Sequence, residues 1–183
     1  MKSRFILALL AVVFCLSAFR FVQDWVVYSS KEGGYKISMP AAPVEQTRDI
    51  NTAIGNVTMY MAMLEGESTD DNLLYMSAYT QYPADKISST MTIEAQDRFF
   101  KGAAEGSAKS MNGKVDTIMV ADYKGYPSRK IHSTVNFGGE DFIVHQQLIL
   151  VRNNFYMLQT LTKLDKDDNA GVKKFLNSFT LVE

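Results

Sequence analysis

Ile131-His132-Ser133-Thr134-Val135-Asn136-Phe137-Gly138-Gly139-Glu140-Asp141-Phe142-Ile143-Val144-His145-Gln146 reads as two β-rich runs hinged on a glycine pair. Glycine tolerates the positive φ of a two-residue hairpin turn, so Gly138-Gly139 folds the runs back on each other. A symmetric turn there sets His132 directly opposite His145. It also gathers Ile131, Val135, Phe142 and Val144 on one face, as a buried side requires. His132, Thr134, Asn136, Asp141, His145 and Gln147 fall on the other face, with Ile143 as the exception.

Two further strand-like runs flank this hairpin, Val115 to Tyr123 through Lys124-Gly125 and Phe155 to Thr162 through Asn153-Asn154. Counting across those turns puts Thr117 beside His132 and Thr162 beside His145. Upstream, Trp25 to Tyr28 and Tyr35 to Met39 bracket Gly33-Gly34 as another hairpin. Val44 to Ile50 and Val57 to Leu64 turn near Ala53 to Asn56, and Leu73 to Tyr82 follows a polar loop. The period then changes. From Thr92 to Met111, Ile93, Phe100, Ala103, Ala104, Ser107, Ala108 and Met111 recur at helical spacing, behind a Thr cap and ahead of Asn112-Gly113. A second helix is expected over Asp165 to Asn177, and Phe179 to Val182 can close as a final strand. Strand pairs, a helix, a four-strand meander and a second helix predict an α+β domain with a mainly antiparallel β-sheet flanked by helices.

The first 20 residues carry an address. Lys2 and Arg4 precede an apolar run from Phe5 to Ala18 that ends among the small residues Cys15, Ser17 and Ala18. A basic start, a short apolar stretch and a small-residue exit are the parts of a secretory signal peptide, and the run is short of the ~20 residues a membrane span needs. Its cleavage position is not fixed by these residues. The bulky Phe14 before Cys15 disfavours a lipoprotein signal. The expectation is an exported chain, periplasmic or extracellular, with one domain over 24–183 and no stable membrane span after processing.

Cys15 is the only cysteine among the 183 residues, so the exported part offers no disulfide, no thiol nucleophile and no thiolate metal ligand. Three of the 19 Lys+Arg lie in the first 20 positions and none of the 20 Asp+Glu, so the remainder is mildly acidic with no basic run. That excludes nucleic-acid binding by phosphate neutralisation. No phosphate-cradling glycine loop, nucleophile elbow or zinc-protease helix occurs, so no cofactor and no catalytic residue is expected.

Tyr28 to Pro40 with Pro43, and near the other end Asn154 to Leu158 followed by Lys173 to Phe179, resemble the opening and close of PsbP-like (Mog/PsbP-type) domains. The element order between them agrees, so the resemblance spans Trp25 to Glu183. It implies an α/β/α sandwich and a non-catalytic binding or assembly role. It carries no shared active site, so no functional residue transfers.

Three groups of residues are candidates for contact with a ligand or partner. Directly opposed side chains are ~5 Å apart at Cβ, so His132 and His145 can share a metal, although their row offers no third His or carboxylate. The plainer reading is a hydrogen-bonded pair on a polar sheet face. Met59, Met61 and Met63 share one strand face and can hold Cu(I) through soft sulfur, or simply fill core. Tyr75 and Tyr79 share a face with Ser77 and can present a binding platform for a peptide, glycan or partner, or sit partly covered in the sheet. The leading expectation is an exported module of the cell envelope that binds a protein or small-ligand partner. The alternative is a carrier of a small ligand, copper or zinc.

Overall fold

The computed structural model describes residues 24–182 apart from Ala53; the signal-peptide reading concerns residues outside this range. Among the described residues, ten strands and two helices follow in order: β1 (Val26–Ser30), β2 (Tyr35–Met39), β3 (Val44–Thr52), β4 (Gly55–Glu65), β5 (Asn72–Gln81), α1 (Ile93–Ser110), β6 (Gly113–Tyr123), β7 (Tyr126–Phe137), β8 (Glu140–Val151), β9 (Asn154–Lys163), α2 (Ala170–Asn177) and β10 (Thr180–Leu181). A 3-10 turn, Leu164–Lys166, precedes α2. Seven strands form one antiparallel sheet in the order β3-β4-β5-β9-β8-β7-β6, and β1, β2 and β10 form a second, smaller one. The α+β, mainly antiparallel expectation holds.

Each face of the large sheet buries its own core. On one side lie α1 and its anchors Phe100 and Ala104, packed with Met76, Ile131, Leu148 and Met157. On the other, Tyr35, Ile37 and Met39 of β2 join Phe175 and Phe179 over Tyr75, Ile149, Tyr156 and Leu158. Burying a side chain of this size contributes ~1.5–3 kcal/mol, so the two layers together fix the sheet between them.

Thr92 caps α1, its hydroxyl accepting from the Ala95 N–H at 3.3 Å. Phe100, Ala104 and Ala108 form the buried stripe, whereas Ile93, the first residue of the helix, stays 71% exposed. The second helix starts later than its acidic run suggests. Asp168 takes a left-handed φ of 54°, which breaks the helical path, and Asn169 supplies the cap by accepting from the Val172 N–H at 3.1 Å. The last hairpin also shifts. Its turn is Arg152-Asn153, with Arg152 at φ 54°, so Thr160 rather than Thr162 faces His145.

Candidate functional site

The β7–β8 register is the one the glycine turn dictates, with His132 opposite His145 and Thr117 of β6 beside His132. The two imidazoles stand 5.2 Å apart between centroids at an interplanar angle of 82°. Their third neighbour comes from the loop between the 3-10 turn and α2. Asp167 reaches down between the rings, one carboxylate oxygen 2.6 Å from His145 Nε2 and the other 3.2 Å from His132 Nε2. Partial burial pushes the Asp167 carboxyl up, but the two histidine hydrogen bonds and the charge of both rings outweigh it and hold it below the usual carboxylate range.

A second carboxylate steadies His132 from behind. The β6–β7 register slips by one residue between Val115 and Thr117, and Asp116 is the extra residue of that bulge. Bulges re-aim a side chain at the cost of one ladder position. Asp116 thereby turns toward the histidine face, where Oδ2 lies 3.2 Å from His132 Nδ1 and accepts from the Thr134 hydroxyl at 2.7 Å. His132 is held from both ring nitrogens. The side chains of His132, His145 and Asp167 remain 28%, 15% and 44% exposed, so the cluster opens to solvent. One donor atom from each of the three lies within 4.8 Å of the others, close enough that together they could hold a cation.

The carboxylate that joins the two histidines is not in their row: Asp167 arrives from outside the sheet. The acidic run Asp165 to Asp168 is its only trace in the sequence, where it resembles a helix start. Asp116 has no such trace, because a bulge leaves no mark in the apolar–polar alternation.

Met59, Met61 and Met63 line the α1-side core, partly buried, packed against the cluster of Met76, Ala78 and Phe100. Tyr75 and Tyr79 do not form a surface platform. They are 6% and 8% exposed because β2 and α2 cover that face of the sheet. Of the two, Tyr79 reaches an open groove, which it shares with Tyr60, Tyr82, Glu32 and Asn153.

One surface has no forewarning in the sequence patterns. β6 ends the large sheet, and Ile118, Met119 and Val120 stand 36%, 55% and 79% exposed there. The opposite edge, β3, carries Glu45, Arg48 and Asp49 along its exposed length. Charges blunt an edge against further strand pairing, and the middle of β6 has none between Asp116 and Asp122. Among the described residues, no helix is long and apolar enough to cross a membrane.

No protein-family model and no curated protein matches the chain. Solved structures do. A protein of unknown function from Pseudomonas aeruginosa aligns over 77% of this chain and 84% of its own at 10% identity, with a TM-score of 0.35, too low to bear on the fold. The solution structure of cyanobacterial PsbP (CyanoP) from Synechocystis sp. PCC 6803 superposes with a TM-score of 0.52 at 15% identity, over 90% of this chain and 96% of that one. The likeness thus extends over the whole arrangement of sheet and helices, and the chain adopts the PsbP-like fold.

Proposed function

We propose that this chain is an exported, single-domain binding or assembly module of the cell envelope, acting by surface contact rather than chemistry, with β6 as its contact edge. The observation that carries the reading is the uncharged, exposed run Ile118-Met119-Val120 on a terminal strand. An edge of this kind offers a row of backbone donors and acceptors, and alternate side chains supply apolar contact. The occupant it suits is an extended segment of a partner protein. Export is supported by the basic and apolar layout of Lys2 to Ala18.

A photo-crosslinking residue at position 119, introduced in the cells that make the protein, tests this. The expected product is an adduct with one envelope protein that disappears when Val120→Lys is added, while a crosslinker at Thr47 on β3 gives none. Equal adducts from both edges, an adduct indifferent to Val120→Lys, or one joining two copies of this chain would overturn the proposal.

A further inference from the structure

We propose that His132, His145 and Asp167 form a binding site for one divalent transition-metal cation, with Asp116 as the residue that positions His132. The site rests on its own geometry and not on the β6 contact run, although Asp116 lies two residues before that run on the same strand.

The ligand chemistry argues first. Two imidazole nitrogens and one carboxylate oxygen make an N/N/O set, which suits a borderline cation such as Zn2+ or Cu2+ better than Ca2+ or Mg2+, which prefer all-oxygen shells. All three ligand atoms fall within 4.8 Å of one another. Metal–ligand bonds of ~2.0–2.2 Å need donors somewhat closer than that. The adjustment falls on Asp167, which sits on a loop and is the most exposed of the three, while the histidines are fixed by the sheet ladder.

The Asp116 contact argues independently. Metal-bound histidines generally donate their other ring N–H to a carboxylate, which fixes the tautomer and makes the ligating nitrogen more basic. Asp116 Oδ2, 3.2 Å from His132 Nδ1 and tied to Thr134, holds that position. It leaves His132 Nε2 facing the centre, toward the same carboxylate that His145 Nε2 meets. A bulge in β6 is what brings Asp116 there. A hydrogen-bonded histidine pair alone has no need of it.

In the metal-free protein Asp167 bridges the two rings at their Nε2 atoms. A ring bound to the cation through Nε2 carries its remaining proton on Nδ1, so any Nε2 proton passes to Nδ1 or to solvent, and each Nε2 lone pair and one Asp167 oxygen become ligands. With three protein donors and a solvent-open side, the remaining position is left for water or a ligand from another molecule. The open side makes the site an exchangeable one rather than a closed structural centre.

Calorimetric titration of the purified protein with Zn2+ at neutral pH tests the site. One equivalent is expected to bind, with at least a hundredfold loss of affinity in His132→Ala/His145→Ala. Asp116→Asn is expected to weaken binding ~10–100-fold, as loss of such an orienting partner does, with the circular dichroism of the fold unchanged. In parallel, NMR of the two histidine rings in the unaltered protein follows Zn2+ addition without any variant. Shifts of both rings together at one equivalent support the site. Binding that is equal in wild type and double variant, or that leaves both rings unshifted, overturns it.

Discussion

The Arg129 guanidinium lies 4.9 Å from the centroid of the Phe100 ring, so a charge from the sheet is stacked against the anchor residue of α1. Arg129 is 5% exposed and pairs with Asp97, one turn earlier on the same helix, while a second nitrogen donates to the Ser128 carbonyl at 2.7 Å. The planar group satisfies stacking and hydrogen bonding together, which an ammonium cannot do. Arg129→Ala is expected to lower stability by about 2–3 kcal/mol through lost packing and lost hydrogen bonds to Asp97 and the Ser128 carbonyl. Arg129→Lys recovers only part of that. Urea denaturation of the two variants measures the difference, and equal stability of wild type and Arg129→Ala would show the clamp to be idle.

The start of α2 depends on a small amide network. Asn169 exchanges two hydrogen bonds with the buried Asn72, at 2.8 and 3.0 Å, while Asn72 also accepts from Thr162 and donates to Tyr75. Asn169→Ala removes the helix cap and leaves Asn72 half satisfied, for an expected loss of about 1–2 kcal/mol. Asn169→Asp keeps the cap to Val172 but loses the donor to Asn72, so its loss should be smaller. Thermal unfolding of both variants gives the order.

Glycines give a prediction with two signs. A Cβ on Gly113 would sit 2.4 Å from the Thr134 carbonyl oxygen, a backbone atom that cannot step aside, so Gly113→Ala is expected to cost about 1–3 kcal/mol. Gly102 and Gly106 in α1 meet nothing within 4 Å. Replacing each by Ala should stabilise the protein by ~0.4–1 kcal/mol by restricting the unfolded chain. Melting temperatures that move the same way for Gly113→Ala and Gly102→Ala would contradict this account.

Alkali should unfold the protein through its tyrosines. Burial first, then the neighbouring Tyr79, pushes Tyr156 up to about 12, and burial likewise raises Tyr35, Tyr75 and Tyr79. The folded state holds these phenolic protons more tightly than the unfolded chain. Their contribution to stability is therefore complete below the ordinary tyrosine value of ~10 and is lost as pH rises toward 12. Tyrosinate absorbance should appear in two steps, the second coinciding with loss of the fold. Ionisation of all nine tyrosines near the ordinary value, with the fold intact, would refute this.

Acid acts through Asp167 with the opposite sign. Its carboxyl is held below the usual range by the two histidines despite partial burial. The stability it adds is present above the unfolded value of ~3.9 and disappears as pH falls through the lower folded one. Asp167→Asn should flatten the acid limb of the stability curve below pH ~4 and leave the alkaline limb unchanged, as a series of denaturant midpoints across pH can show.

Half of the histidine site is legible in the sequence. The pairing of His132 with His145 follows from Gly138-Gly139 because a two-residue turn fixes register over its whole hairpin. The same counting fails one turn later: Arg152 adopts a left-handed φ that no residue preference announces, and Thr160 stands where Thr162 is expected. Tyr75 and Tyr79 depart from expectation for another reason. Period-two alternation tells which residues share a face, but says nothing of which layer covers it.

The order of strands and helices, the tight hairpins and the cap of α1 are written in the sequence, since each depends on turn chemistry and periodicity within a few neighbouring residues. Tertiary structure alone decides that β1 and β2 leave the large sheet to join β10, that β5 lies beside β9, and that Asp116 and Asp167 converge on two histidines. Those placements are set by which apolar faces bury against each other across long loops, and by one inserted residue in β6. Such long-range burial leaves no local signal in the chain.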